Sequence, residues 1–322
     1  MSARKKLAGL AMCLSALPAA QAAENWPAKP VRIIVPFGAG GGTDIQGRML
    51  SKKFYESMGQ TFVVDNRPGA GGLIGAEIVA KQSPPDGYTV LFTTASLSVN
   101  VSLYKKIAFD PMKDLAPVTW VSSVPLVLVS HPSVPAKDVK ALIALIKKSN
   151  GKMNAGSNGS GTTSHLSIEM LKQMAGVQVT HVPYKGGGPA IAALIAGEVD
   201  FEFGTALSTK PHIESGKVRA YAVTTAKPSK AFPNLPTMAS LYPGFESDNW
   251  YAMFMPAGTP KDIIAKLNAE VVKALKSPDV QEYMAKEGGE PVGSSPEELS
   301  AYFKREVDKY AKVIKAGNIH VE

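Results

Sequence analysis

From residue 26 onward, short runs of β-branched and apolar residues alternate with longer stretches in which apolar positions recur every three or four residues. Val31-Arg32-Ile33-Ile34-Val35 reads as a buried strand and residues 44–57 as a helix. Thr61 to Val64 is a strand, Ile74 to Lys81 a helix and Thr89 to Thr93 a strand. Such alternation predicts a largely parallel sheet with helices on both faces. The pattern restarts after Pro125, with strands at Leu126 to Ser130, Met153 to Gly156, Gln178 to Val182, Val199 to Phe203 and Val218 to Thr224. Helices fall between them at 136–149, 164–175, 188–196 and near 208–215. Residues 227–248 break the rhythm with Pro228, Pro233, Pro236 and Pro243 and read as an irregular connection. Three helical patterns then follow, near 260–276, 278–287 and 296–316, each with a proline at or near its start, where the missing N–H costs nothing.

Two α/β units in a chain of 322 residues predict two lobes. The chain is expected to cross between them near 121–126 and to return near 225–250, with the last helices packed on the first lobe. The lobes are therefore 24–122 together with 246–322, and 123–245. A cleft between lobes is the usual place for a ligand.

The start of the chain has a different character. Arg4, Lys5 and Lys6 precede an apolar run from Leu7 to Leu17 and the small-residue pattern Ala20-Gln21-Ala22. This reads as a secretory signal over residues 1–23, cleaved near Ala22/Ala23, and places the mature chain in the periplasm. The run is too short for a comfortable membrane span. Cys13 is the only cysteine, and Met12 before it does not fit a lipoprotein site. The mature chain thus has no thiol for a disulfide, a metal or a nucleophile. The formal charge is +8, three of it from Arg4, Lys5 and Lys6. The remaining lysines are scattered rather than gathered in a stripe with aromatics, so nucleic acid is not an expected partner.

Candidate chemistry sits at strand ends. After the first strand comes Pro36-Phe37-Gly38-Ala39-Gly40-Gly41-Gly42-Thr43-Asp44, a glycine-rich turn with a helix opening at Thr43 or Asp44. Free amides at the positive end of a helix make an anion site. The turn matches neither the dinucleotide fingerprint nor the phosphate-binding loop, so no cofactor is expected. A second such loop, Ser157-Asn158-Gly159-Ser160-Gly161-Thr162-Thr163-Ser164, runs into a helix near His165. Two loops of this kind, one per lobe, face a shared cleft if the strand ends point the same way. A third, Val182 to Pro189, carries Tyr184 and Lys185, the latter read as a solvated surface lysine. A fourth strand end offers Phe203 and Thr205. Ser160 and His165 lie five apart without a nucleophile elbow. The histidines (131, 165, 181, 212, 320) show no metal spacing. No catalytic residue and no metal site are expected, and Asp44 reads as a helix cap.

On these residues the mature chain resembles the Bug proteins, extracytoplasmic solute receptors of the tripartite tricarboxylate transporter class. The resemblance runs through Trp26 to Pro30, Pro36 to Asp44, Asp65-Asn66-Arg67-Pro68-Gly69-Ala70-Gly71-Gly72 and Pro85 to Leu91. It continues through Gly159 to His165, Val182 to Gly186, Ser215 to Ala220 and Pro256 to Pro260. It implies a two-lobed, type II-like periplasmic-binding-protein fold. It also implies a receptor, not an enzyme, that delivers a small organic acid to membrane permease subunits as a monomer; a periplasmic sensor for an organic acid is the alternative. By position it implies ligand contacts from Phe37, Gly38, Ala39, Gly40, Gly41, Thr43 and Asp44 on one lobe, with Ser96 and Ser98. From the other lobe come Ser157, Asn158, Gly159, Ser160, Gly161, Thr162, Thr163, His165, Tyr184, Phe203 and Thr205. Ala39 stands where family members usually have proline. Whether the acid carries one, two or three carboxylates, and whether it is aromatic or aliphatic, stays open.

Overall fold

The computed structural model describes residues 26–317 and 319, and the segment read as an export signal lies outside them. Two mixed sheets share one long strand. In the first, β1 (Val31–Val35) lies between β2 (Phe62–Asn66) and β3 (Thr89–Thr94), parallel to both. The helix α1 (Gly42–Met58) follows β1, α2 (Leu73–Gln82) follows β2, and α3 (Ser96–Leu103) follows β3. A single turn, α4 (Pro111–Asp114), then leads into β4 (Leu115–Ser130).

The second sheet holds the far end of β4, then β5 (Asn154–Ser157), β6 (Thr180–Pro183), β7 (Phe201–Thr205) and β8 (Arg219–Val223). Its helices are α5 (Val139–Ser149), α6 (Thr163–Ala175), α7 (Gly187–Ala196) and α8 (Ala206–Glu214). The chain returns to the first sheet as β9 (Asp248–Pro256), which runs antiparallel between β3 and β4. The helices α9 (Lys261–Lys276) and α10 (Pro278–Glu287), a short β10 (Glu290–Pro291) and α11 (Pro296–Gly317) complete it. The helix α9 packs against β4 and α1, and α11 against α3 and β4. The Trp120 and Tyr302 rings stack there at 3.9 Å.

Three elements differ from the expectation. β4 starts at Leu115 rather than Leu126, α3 was not anticipated, and 248–256 is a strand. Pro125 reads as a break, and Pro117 also lies within β4. The strand tolerates them because one sits at a bulge, where register shifts between Pro117 and Thr119, and the other at a change of partner. Pro125 pairs with Asp248 in the first sheet, and the next residue, Leu126, pairs with Thr205 in the second. Both sheets are therefore mixed, parallel away from β4 and antiparallel around it.

At this change of partner one buried hydroxyl joins both chain crossings. Thr224 Oγ1 accepts the Leu126 amide at 3.1 Å and donates to the Ser247 carbonyl at 2.7 Å.

β7 alternates its faces as a strand must. Phe201 and Phe203 point into the core between the second sheet, α5 and α6, where Phe203 stacks on Phe245 at 5.7 Å. Glu202 and Gly204 point the other way. The Glu202 side chain is fully buried, and neither carboxyl oxygen has a hydrogen-bond partner. A methyl at Gly204 would lie 2.3 Å from Thr209 Cγ2 and 2.6 Å from Glu202 Oε1, so the glycine makes room for the carboxyl. Burial pushes this carboxyl up to about 8. The folded chain thus keeps a proton that the unfolded chain releases above its ordinary value of 4.5, and stability falls as pH rises from 4.5 to 8. Glu202→Gln removes that dependence. Urea unfolding at pH 5 and pH 8 should show the variant gaining on wild type by about 3 kcal/mol across the interval. A gap that does not widen would mean the carboxyl is not neutral in the fold.

Candidate functional site

The strand ends of both sheets meet across a cleft, and four helix N-termini converge on one narrow, buried space. Its lining is Phe37, Gly41, Gly42, Thr43, Thr94, Asn158, Thr162, Thr163, Gly187, Thr205, Asn249 and Tyr251. Gly41 caps α1, Thr162 caps α6, Gly187 opens α7 and Thr205 caps α8. No side chain caps α1, α7 or α8, so their first amides are free donors at the positive end of each helix. Only α6 uses its cap side chain, with Thr162 Oγ1 accepting the His165 amide at 3.3 Å. The lining contains no Asp, Glu, Lys, Arg or His. What it presents is amides, three glycines, hydroxyls and two carboxamides.

Tyr251 marks the deepest point. Its side chain is fully buried, and its hydroxyl makes no hydrogen bond of normal geometry, although Thr205 and Asn249 flank it. A methyl on Gly42 would lie 2.3 Å from that hydroxyl, so the first helical residue of α1 must be glycine for the ring to reach the helix start. Burial drives the phenol well above its ordinary range, so it remains an O–H donor. Asn158 Oδ1 is likewise buried without a partner.

The loop 36–44 is held from behind. Asn66 Nδ2 donates to the Phe37 carbonyl at 2.9 Å, and Arg48 bridges Asn66 and Asp44. Asp44 Oδ2 accepts the Gly40 amide at 3.0 Å. Burial opposes the Asp44 charge, but the bonds from Arg48, Gly40 and Asn66 outweigh it and hold the carboxyl below its usual value. The helix begins one residue earlier than expected, and its cap is Gly41, not Thr43 or Asp44. Asp44 instead ties the turn back on itself, and Arg48 neutralises it, so an acid in the first turn does not cancel the positive helix end.

The loop 157–162 rests on two imidazoles. His165 and His181 stack at 4.3 Å. Ser157 Oγ lies 2.6 Å from His181 Nε2, and His165 Nδ1 accepts the Gly161 amide at 3.3 Å. His165 Nε2 faces Glu169 at 3.8 Å, and Lys172 pairs with the same Glu169 at 2.8 Å.

The expected residues thus divide. Phe37, Gly41, Thr43, Asn158, Thr162, Thr163 and Thr205 line the inner space. Gly159, Ser160 and Tyr184 line an outer one with Tyr104, Lys185 and Gly69 to Gly72, and Phe37 and Asn158 border both. Gly38 and Ala39 lie at the rim between the lobes. Ser96 is bonded to Thr94, and Ser98 to the Ala95 carbonyl. Phe203 is in the core, and Gly40, Asp44, Ser157, Gly161 and His165 support the loops. Ser160 makes no hydrogen bond to His165. The sequence gives no sign of a role for Thr94, Gly187, Asn249 or Tyr251. Asn249 and Tyr251 enter from β9, which the proline-rich stretch before it concealed; two residues apart on one strand, they share a face. Among the described residues no cluster of three His, Cys, Asp or Glu side chains is placed to hold a metal ion.

Burial holds both imidazoles down to about 4, aided for His165 by Lys172 and for His181 by His165 and Lys172 against Glu169. Both are neutral in the fold, so the unfolded chain binds more protons between 4 and the ordinary 6.5. Stability is therefore full above 6.5 and is lost as pH falls toward 4. NMR of the imidazole carbons should find both rings uncharged at pH 5.5; an ordinary titration of either near 6.5 would contradict the packing.

The chain was compared with known proteins. Residues 47–319 match the family described as tripartite tricarboxylate transporter family receptor. The chain is 38% identical to protein BugT of Bordetella pertussis over 310 residues, 95% of each chain. The structure of periplasmic binding protein BugD superposes with a TM-score of 0.89 at 37% identity, over 92% of this chain and 100% of that one. Rpa4515 of R. palustris with adipate gives 0.88 at 36% identity, over 92% and 99%. MatC of Rhodopseudomonas palustris with bound malate gives 0.85 at 32% identity, over 90% and 100%.

Proposed function

We propose that this chain, which belongs to the tripartite tricarboxylate transporter receptor family, captures a small organic acid in the inner space and passes it to the membrane subunits of such a transporter. One observation carries the reading: four helix N-termini, three without a side-chain cap, open into a buried space with no side chain of either charge. Free amides at positive helix ends attract a carboxylate, and in a water-poor site each such bond is strong. The absence of a carboxylate in the lining leaves a ligand's negative charge unopposed. Adipate is bound in one similar protein and malate in another.

In this reading the carboxylate meets the amides of Gly42 and Thr43 and the hydroxyls of Tyr251 and Thr205. Asn158, Thr162 and Gly187 close over the rest, and Asn249 holds Thr163 from behind at 3.2 Å. The lobes are residues 24–122 with 246–322 against 123–245. The lining supplies donors to an anion and lacks a nucleophile–base pair, which favours a receptor that releases its ligand unchanged. The periplasm is the compartment of the family. Processing near Ala22/Ala23 follows from the basic, apolar and small-residue order at the start of the chain.

Calorimetric titration of the exported protein with adipate and with malate tests the proposal. Binding of at least one is expected, with an accompanying rise in melting temperature. Tyr251→Phe keeps the ring and removes one donor to a charged group. It should weaken that binding by roughly 10- to 100-fold while leaving the ligand-free melting temperature near wild type. If Tyr251→Phe binds as tightly as wild type, the carboxylate sits elsewhere.

A further inference from the structure

The geometry points to a clasp between the lobes, made where glycines let backbone approach backbone, that holds the cleft shut. The inference rests on the receptor reading above. The Gly38 amide of the first lobe donates to the Lys185 carbonyl of the second at 2.6 Å. Around this bond four glycines, Gly38, Gly41, Gly186 and Gly188, lie hard against the opposite lobe. A methyl added at Gly38 would lie 2.8 Å from the Lys185 carbonyl oxygen and 3.2 Å from the Pro189 ring. At Gly186 it would lie 2.8 Å from the Gly38 nitrogen, and at Gly188 only 2.0 Å from the Ala39 carbonyl oxygen. At Gly41 it would lie 3.2 Å from the Gly187 nitrogen. No real Cβ comes within 3.0 Å of a backbone atom without something moving, and backbone on both sides cannot yield as a side-chain tip can.

Local conformation does not explain the glycine at position 38. Gly186 has φ 126° and requires glycine anyway. Gly38 is not in the left-handed region, and alanine is acceptable there in an isolated lobe. What a methyl at Gly38 meets is the other lobe alone, and only when the cleft is closed. The opposite rim is built in the same way. A methyl at Gly71 would lie 2.4 Å from the Ser160 carbonyl oxygen, and one at Gly161 would lie 2.1 Å from Asn100 Oδ1. Both of those glycines have positive φ, so Gly38 is the position that separates closure from local folding.

The clasp also sets the boundary of the inner space. Phe37 and Asn158, which flank it, border both the inner and the outer spaces. A ligand held inside leaves only when Gly38 and Lys185 part. Gly38, Gly186 and Gly188 are therefore positioning residues for capture. They act through the distance between the lobes, and a methyl at Gly38 is a wedge.

The test is Gly38→Ala, with Gly188→Ala as the wedge from the opposite lobe. Three readouts are taken on the exported protein: ligand-free melting, calorimetric titration with adipate and malate, and the distance between spin labels on Lys52→Cys and Lys147→Cys. For Gly38→Ala we expect the wild-type melting temperature without ligand, at least a tenfold weaker dissociation constant with faster release, and a label-distance distribution shifted to the open form. The double variant should cost less than the sum of the two single variants, because either wedge alone already parts the lobes. Wild-type affinity and wild-type label distances in Gly38→Ala would overturn the clasp. If wild type binds neither acid, the receptor reading fails, and the label distances decide the clasp alone: distributions identical to wild type overturn it. If Gly188→Ala does not fold, Gly38→Ala still decides.

Discussion

The positive ends of several helices cannot be brought together in a buried space at no cost. Each carries about half an elementary charge in unpaired amides, and in low dielectric these ends repel one another. The convergence of α1, α6, α7 and α8 on one point is therefore the constraint around which the molecule is organised. The sheets place those helix starts together because β1, β5 and β7 all end at the same cleft. The loops between strand and helix are short, so the helices start there as well. Nothing in the lining offsets the accumulated positive potential, and the natural remedy is an anion brought from outside. Hydroxyls from β9 and β7 supply the remaining donors.

Support for this arrangement lies one layer out, where the ionisable groups are found. Asp44 is turned away onto the Gly40 amide and held by Arg48, so its charge stabilises the turn without facing the cleft. His165 and His181 fill the space beneath the 157–162 loop as neutral rings, one accepting the Gly161 amide and the other paired with Ser157. Glu202 lies behind β7 as an uncharged carboxyl. A residue that would compete with a bound anion is in each case neutralised, buried or both.

Much of the fold was legible in the sequence, and the errors share one cause. Strands and helices with clean periodicity, such as Val31–Val35 or the helix after Pro278, fall within a residue or two of their observed limits. β4 and β9 were obscured because Pro117, Pro125 and the prolines before Asp248 punctuate them, while the pairing that overrides those signals is tertiary. The same gap hid part of the site. Glycine-rich turns at helix starts announce free amides, so Phe37 to Thr43 and Asn158 to Thr163 could be read from the chain alone. Asn249 and Tyr251 are ordinary polar and aromatic residues on a strand, and nothing in their neighbours shows that β9 passes beneath α1. Phe203 was assigned by its place at a strand end, but strand alternation sends it to the opposite face from Glu202, into the core.

The Thr224 hydroxyl adds a mechanical consequence. Both passages of the chain between lobes, at Leu126 and at Ser247, are fastened to that one atom. Two connections pinned at a common point act as a single axle: one lobe can swing about it, but neither can slide along the other. A pivot of this kind would return the same amide to the same place, which suits a rim where backbone meets backbone at glycines.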